Sequence, residues 1–313
     1  MESNYKKQRI PCPDSYKILY DTIKSNIPVL VGKIGSVELR TIIESIFIVK
    51  GSIFDFSFNI QKEMIDCAGI YPVLKPHIIN FISLFLESIK QINVMASWND
   101  SLLQYEAYLW QNYALLPNEK NEKNNTIKLL VELSTLEPFY TTPENWWHHL
   151  YQNKTILVIT PFVKSIQNQL ANRSKVWQKQ WTNFWPENII FKFIKTQHPY
   201  TTLSTTEQAA MPANSLELFK QLIHQIDTIA DFDIAFIGAG AYSIPLAAYI
   251  KTQKNRTAIH LGGGLQMMFG VAGSRWKNSN NPFFKEYINE HWISPLPEET
   301  PLNYKLQENG CYF

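Results

Sequence analysis

The sequence predicts an α/β fold: a Rossmann-like parallel sheet with helices on both faces. Three observations carry this expectation. Short segments at 29–31, 154–160, 189–194, 233–238 and 257–261 are near-continuous apolar runs. Strands buried on both faces read this way, because neither face meets water. Stretches with apolar residues at helical spacing alternate with these runs, as βαβ units require. Glycine-bearing turns fall at 32–35, 238–240 and 262–264, each just after an apolar run.

Taken in order, 15–25 reads as a short helix, with Pro28 after its end. The apolar run 29–31 leads into Gly32-Lys33-Ile34-Gly35. Leu39, Ile42, Ile43 and Ile46 then recur on one helical face, so 28–50 reads as strand, glycine turn, helix. Ser36 falls where an N-cap belongs. A helix is expected over 75–90, a strand over 92–96 and a helix over 101–115. The polar stretch 117–125 reads as an inserted loop. Beyond it the pattern sharpens: a strand at 154–160, helices at 163–171 and 174–184, and a strand at 189–194. A helix at 216–229 and a strand at 233–238 come next, then a helix at 244–251 and a strand at 257–261. No internal repeat and no composition shift divides the chain, so one domain over 1–313 is expected, with a helical N-terminal part.

The bulk numbers suit a soluble globular protein. The 313 residues are 45% apolar and 18% charged, enough to bury a core without disulfides or metals. The 29 basic and 27 acidic residues nearly cancel, and no basic block stands out. Nothing marks a nucleic-acid surface. The cysteines, Cys12, Cys67 and Cys311, lie far apart with no zinc spacing. Reduced thiols in a cytoplasmic protein are expected. Residues 1–14 lack the apolar core of a signal peptide, and no apolar stretch approaches the roughly 18 residues a transmembrane segment needs. Peripheral membrane attachment and a homo-oligomer stay open. The aromatic content, 13%, suits stacking on flat ligands and also plain core packing. Trp146-Trp147-His148-His149 reads as a packing cluster, since adjacent histidines rarely face one metal.

In open parallel sheets, ligands bind outside the carboxyl ends of the strands. The three glycine turns are therefore the expected site. Glycine lets backbone approach a ligand, and the following helix offers free N–H groups to phosphate. Gly238 and Gly240 match the first two glycines of a dinucleotide fingerprint. Ser243 stands at the third, and His260 lies near the place of the expected acidic residue. No NAD is expected, and no haem. No nucleophile elbow, P-loop or zinc-protease motif is present. Glu38, in the first turn of a helix after a strand, reads either as dipole compensation or as a ligand for a metal or sugar hydroxyl. Glu137 is a candidate general base. Arg275, beside Trp276, could contact phosphate.

Several segments resemble a known family. Gly32-Lys-Ile-Gly-Ser-Val-Glu-Leu39 is similar to the N-terminal motif of glycosyltransferases of the GT-D fold. The segments 236–242 and 258–266 resemble that family's closing βαβ unit. Leu136-Glu-Pro-Phe-Tyr140, Thr160-Pro-Phe162 and 269–276 resemble a bacterial subgroup associated with surface-polysaccharide loci. The resemblance implies a GT-D-like fold and transfer of a sugar from a nucleotide-sugar donor to a glycan or glycolipid acceptor, with Mn²⁺ or Mg²⁺. The family's Asp-x-Glu pair falls on Ser36 and Glu38, so only one of two expected metal carboxylates remains. Lys33 stands in place of an arginine and His260 in place of an acidic residue. The implied catalytic residues are Glu38 and Glu137, with Glu38 also the metal ligand. The implied substrate contacts are Gly32, Lys33, Gly35, Ser36, Gly238, Gly240 and Tyr242 on one side. His260, Gly262, Gly263, Gln266 and Arg275 lie on the other. Two readings stay open beside it: a non-catalytic nucleotide- or glycan-binding protein on a transferase-derived fold, and another Rossmann-like enzyme.

Overall fold

The computed structural model describes residues 2–98, 102–112, 129–137, 141–182 and 184–313. The inserted loop expected at 117–125 lies outside the described residues. Seven parallel strands form one sheet: β1 Leu30–Gly32, β2 Val94–Ser97, β3 Leu129–Glu132, β4 Thr155–Thr160, β5 Ile190–Lys195, β6 Ile234–Ile237 and β7 Thr257–His260. Their order across the sheet is β3-β2-β1-β7-β6-β4-β5. The chain leaves β4 outward to β5, and leaves β6 inward to β7. This change of direction opens a crevice over the carboxyl ends, where such sheets bind ligands.

Successive strand residues feed two separate cores, as the pleat requires. Leu30, Leu157, Ile159, Ala235, Ile237 and Ala258 point to one; Val31, Ile156, Val158, Ile234, Phe236 and Ile259 point to the other. The chain opens with α1 Glu2–Gln8 and α2 Asp14–Lys24. The first core is covered by α3 Ser36–Val49, α5 Lys75–Ile89, α6 Leu103–Asn112, α10 Ser215–Thr228 and α11 Ser243–Gln253. Between α3 and α5 lie α4 Phe58–Glu63 and a π-helical turn, Met64–Ala68. The second core packs α2, α7 Val163–Leu170, α8 Arg173–Val176, α12 Gly264–Met268, α13 Ser274–Lys277 and α14 Pro282–Tyr287. The remaining helix, α9 Thr205–Ala209, is short and capped by Ser204 and Glu207.

Seven of the nine tryptophans sit in the second core, so the aromatic excess is chiefly packing. Trp177 stacks on Phe184 at 4.6 Å and Trp185 on Phe269 at 4.8 Å, while both indoles donate to the Met268 carbonyl. Trp146 and Trp147 are fully buried, as a packing cluster should be. Among the described residues no helix is long and apolar enough to cross a membrane.

Candidate functional site

The crevice is a cleft of about 520 Å³ over the carboxyl ends of β1, β7, β6, β4 and β5. It gathers nearly every residue the sequence nominated: Lys33, Gly35, Ser36, Glu38, Gly238, Gly240, Tyr242, His260, Gly262, Gly263, Gln266 and Arg275 all line it. Gly32 sits one step down β1, and Glu137 lies against Gly264 behind the wall. A second cavity of equal volume opens at the amino ends of the strands, lined by Lys24, Lys154, Asp233 and Arg256. There Asp233 pairs with Lys154 and Asp231 with Arg256, while Lys24 lies over the Tyr20 ring at 5.6 Å.

The turn after β1 builds the ionic half of the cleft. Gly35, not Ser36, holds the N-cap of α3, and no side chain caps it. Ser36 is the first helical residue. The amino end of this fourteen-residue helix therefore faces the cleft, with no N-cap side chain on its first amides and the Glu38 carboxylate folded back beside them. The corresponding end of α7, after β4, is filled: the Glu299 carboxylate accepts from Lys164 N–H at 2.7 Å and Ser165 N–H at 2.8 Å. The amino ends of α11 and α12, with N-caps Tyr242 and Gly263 and no side-chain cap, reach the cleft as well.

Glu38 folds back over Gly35, so closely that a Cβ on Gly35 would collide with its carboxylate. Burial raises its pKa to about 7; Glu308 adds to the rise, while its own backbone N–H, Lys33 and Arg40 oppose it. A carboxyl poised there can carry a proton in either direction at neutral pH. Beside it, Lys33 lies over the Trp98 ring at 5.8 Å. The Trp98 indole is fixed by donation to the Ile34 carbonyl at 2.9 Å. Its backbone N–H donates to buried Glu106, whose carboxyl burial also raises to about 7.

His260, at the end of β7, donates from Nδ1 to the Lys33 carbonyl at 3.0 Å. Burial, with Lys33 nearby, lowers its pKa to about 3, so the ring is neutral. With Nδ1 carrying the proton, Nε2 is a bare acceptor beside Gly262. Gly262, at φ +58°, leaves the space next to this nitrogen and the Lys33 ammonium open. Burial raises the Glu137 carboxyl too, against the pull of Lys33 and Arg275.

The other glycines have a different purpose from the one their turns suggested. A Cβ on Gly238 would sit 2.8 Å from the Gly262 carbonyl, and one on Gly240, at φ +53°, 2.9 Å from the Ala68 carbonyl. Gly32 abuts Ile244 and His260, and Gly263 abuts the Tyr312 ring. These four shape the cleft by close packing of protein on protein. Tyr242 likewise spends its hydroxyl on the Gly69 carbonyl, at 2.8 Å.

A wall that the sequence did not signal comes from residues 304–313. Ser274 N–H donates to the Phe313 carbonyl at 2.7 Å, and Arg275 N–H to the Cys311 carbonyl at 3.0 Å. Gln266 donates from Nε2 to the Tyr312 carbonyl at 3.0 Å. Arg275 pairs with Glu308 and lies 4.8 Å over the Tyr312 ring. Its charge is thus partly spent within the protein, which leaves Lys33 as the freer cation. Thr196, His198 and Gln307 also line the cleft and were not foreseen. The first two follow β5, so the strand-end rule could have found them; Gln307 follows no strand.

Of the two metal carboxylates that the resemblance implies, the cleft holds one, Glu38. Mg²⁺ is commonly held by one or two carboxylates together with waters and substrate phosphates. Among the described residues no group of three or more His, Cys, Asp or Glu side chains converges to hold one. Ser36, where the family pattern has an acid, supplies no charge. The class defined by fold and cleft is an α/β protein with a Rossmann-like parallel sheet and a cleft at the strand ends. No protein family, curated protein or solved structure matches the chain.

Proposed function

We propose that the protein is a glycosyltransferase acting on a nucleotide sugar, with a glycan or glycolipid hydroxyl as acceptor, in surface polysaccharide or glycoconjugate synthesis. The observation that carries this reading is the pairing of Glu38, held near pKa 7, with Lys33 and the uncapped end of α3 in one cleft. Sugar transfer makes two demands. The acceptor hydroxyl must lose a proton, and the departing diphosphate must be stabilised as negative charge builds on it. Glu38 in its ionised form takes the acceptor proton. The acceptor oxygen bonds to the anomeric carbon while the bond from that carbon to the diphosphate oxygen breaks, its electrons leaving with the diphosphate. Lys33 and the first-turn amides of α3 face that charge. His260 Nε2, neutral and accepting, orients a sugar hydroxyl. The resemblance of 32–39 to transferase motifs supports the transferase class, and there it implies a metal or sugar contact for Glu38.

The test is release of nucleoside diphosphate from UDP, GDP and dTDP sugars, with and without a glycan acceptor. At least one donor is expected to turn over. Lys33→Ala is expected to slow that donor by about 10- to 1,000-fold, as loss of one charge-stabilising group does. No turnover and no binding of any donor would overturn the reading.

A further inference from the structure

We infer that the protein docks on a lipid bilayer through an apolar patch formed by residues 47–58 and Leu74. Resting on the transferase reading, its acceptor is then lipid-linked and enters the cleft from that side. Among the described residues ten large apolar side chains stand exposed, and six of them fall between 47 and 74. Phe54 is 89% exposed, Phe58 78%, Val49 75% and Leu74 57%; Phe47 and Ile53 are exposed as well. Single exposed apolar residues are ordinary, but a contiguous set marks a surface that something covers.

Printed contacts tie the set together. The Phe47 ring lies 6.4 Å from that of Tyr108, and the Phe47 carbonyl accepts from the Ser52 and Ile53 N–H groups. Lys75 donates to the Phe54 carbonyl and holds its ammonium 4.6 Å over the Phe54 ring. This joins the loop to Leu74, the N-cap of α5. The rim points to lipid as the occupant. Lys50 lies over the Tyr108 ring at 5.8 Å, so the patch pairs lysines with aromatic rings at two places. That combination suits the headgroup boundary, where rings sink and ammonium groups meet phosphate. The neighbouring acids are turned to the chain itself. Asp55 accepts from the Phe56 N–H at 2.8 Å, and Glu44 from the Ser57 N–H at 2.8 Å and its hydroxyl at 2.7 Å.

The patch leads to the cleft along one stretch of chain. Cys67, Ala68 and Gly69 line the cleft, residues 71–74 line a groove of about 410 Å³, and Leu74 belongs to the patch. Met211 lines both the cleft and the groove. Among the described residues no charged side chain lines the groove, and Tyr71 stacks on Tyr200 along it at 4.9 Å. A lipid-linked acceptor fits this path. Its apolar part stays at the bilayer, its head passes the groove, and a hydroxyl reaches Glu38.

The experiment is co-sedimentation of the full chain with vesicles of phosphatidylcholine alone, and of phosphatidylcholine mixed in equal parts with phosphatidylglycerol. Binding to both is expected, tighter by about 5- to 30-fold on the anionic vesicles, as one or two lysines at such a surface give. Phe54→Ser with Phe58→Ser changes exposed positions, so the fold should stand, and vesicle affinity should drop about 10-fold or more. Hydrogen exchange should slow on vesicles within 47–58 and 71–75. Absence of sedimentation, an unweakened double variant, or self-association that the double variant abolishes overturns the docking surface and leaves the transferase reading standing. Vesicle binding by a protein that turns over no donor overturns only the transferase reading and the acceptor with it. Where a donor turns over, the double variant should slow transfer to a long-chain alkyl glycoside held in the vesicles by about 10-fold, through lost local concentration. Transfer to the methyl glycoside of the same sugar should stay unchanged. Equal rates of variant and wild type on the vesicle-held acceptor overturn the lipid-linked acceptor.

Discussion

Glu38→Gln is expected to lower donor turnover by about 10²–10⁴-fold, the range for loss of a positioned general base. The wild-type rate is expected to fall about tenfold per pH unit below 7 and to level off above it, since the ionised form of Glu38 does the work. Stability should move the other way. The folded protein holds the Glu38 proton up to a pKa of about 7, whereas an ordinary glutamate releases it near 4.5. Between those values the native state binds more protons than the unfolded state, so stability falls as pH rises through the window. The shift corresponds to about 3 kcal/mol. Glu38→Gln removes that penalty and should melt above the wild type at pH 8 while being nearly inactive. Gly35→Ala supplies the companion. Its backbone, at φ −63°, accepts alanine, but the new methyl must displace the Glu38 carboxylate. Turnover should drop with little change in melting temperature. A Glu38→Gln protein with wild-type turnover would remove Glu38 from the chemistry.

Gly273→Ala is expected to undock residues 304–313 at a cost of about 1–3 kcal/mol, the usual range for overpacking a filled site. The backbone at Gly273 is ordinary, at φ −81°, so strain is not the cause. The added methyl would collide with the Tyr312 backbone and the Cys311 carbonyl. Those carbonyls lie in the stretch that holds Arg275 N–H and Gln266. Limited proteolysis reads the result directly: cleavage within 304–313 should accelerate in the variant, and nucleotide affinity should fall with the loss of Tyr312 and Glu308 from the wall. Equal protection in both proteins would show that this segment does not depend on the Gly273 contact.

The strands that fix the site were readable because burial on both faces leaves a plain apolar run, as at β1, β4, β6 and β7. The edge strand β3 was not. Its four residues are buried only in the middle, and the polar stretch before it resembles a loop. The π-helical turn at Met64–Ala68 left no trace in the spacing, yet it sets Ala68 against Gly240. Glycines mark tight places, but the sequence does not say whether ligand or protein comes close. Gly35 faces the Glu38 carboxylate, whereas Gly238 and Gly240 face backbone carbonyls and Gly263 the Tyr312 ring. The wall at 304–313 follows no strand, so a rule based on strand ends could not reach Glu308 or Tyr312. Glu308, Asn309 and Gly310 turn there with successive positive φ values, which only the folded chain reveals.

The most direct test of the site is a crystal structure grown with the tightest-binding nucleoside diphosphate. The diphosphate is expected at the open end of α3, within hydrogen-bonding reach of the Ser36 and Val37 amides and the Lys33 ammonium. Density for the nucleotide in the amino-end cavity beside Lys24 and Arg256, or in the cleft with its diphosphate away from α3, would contradict it.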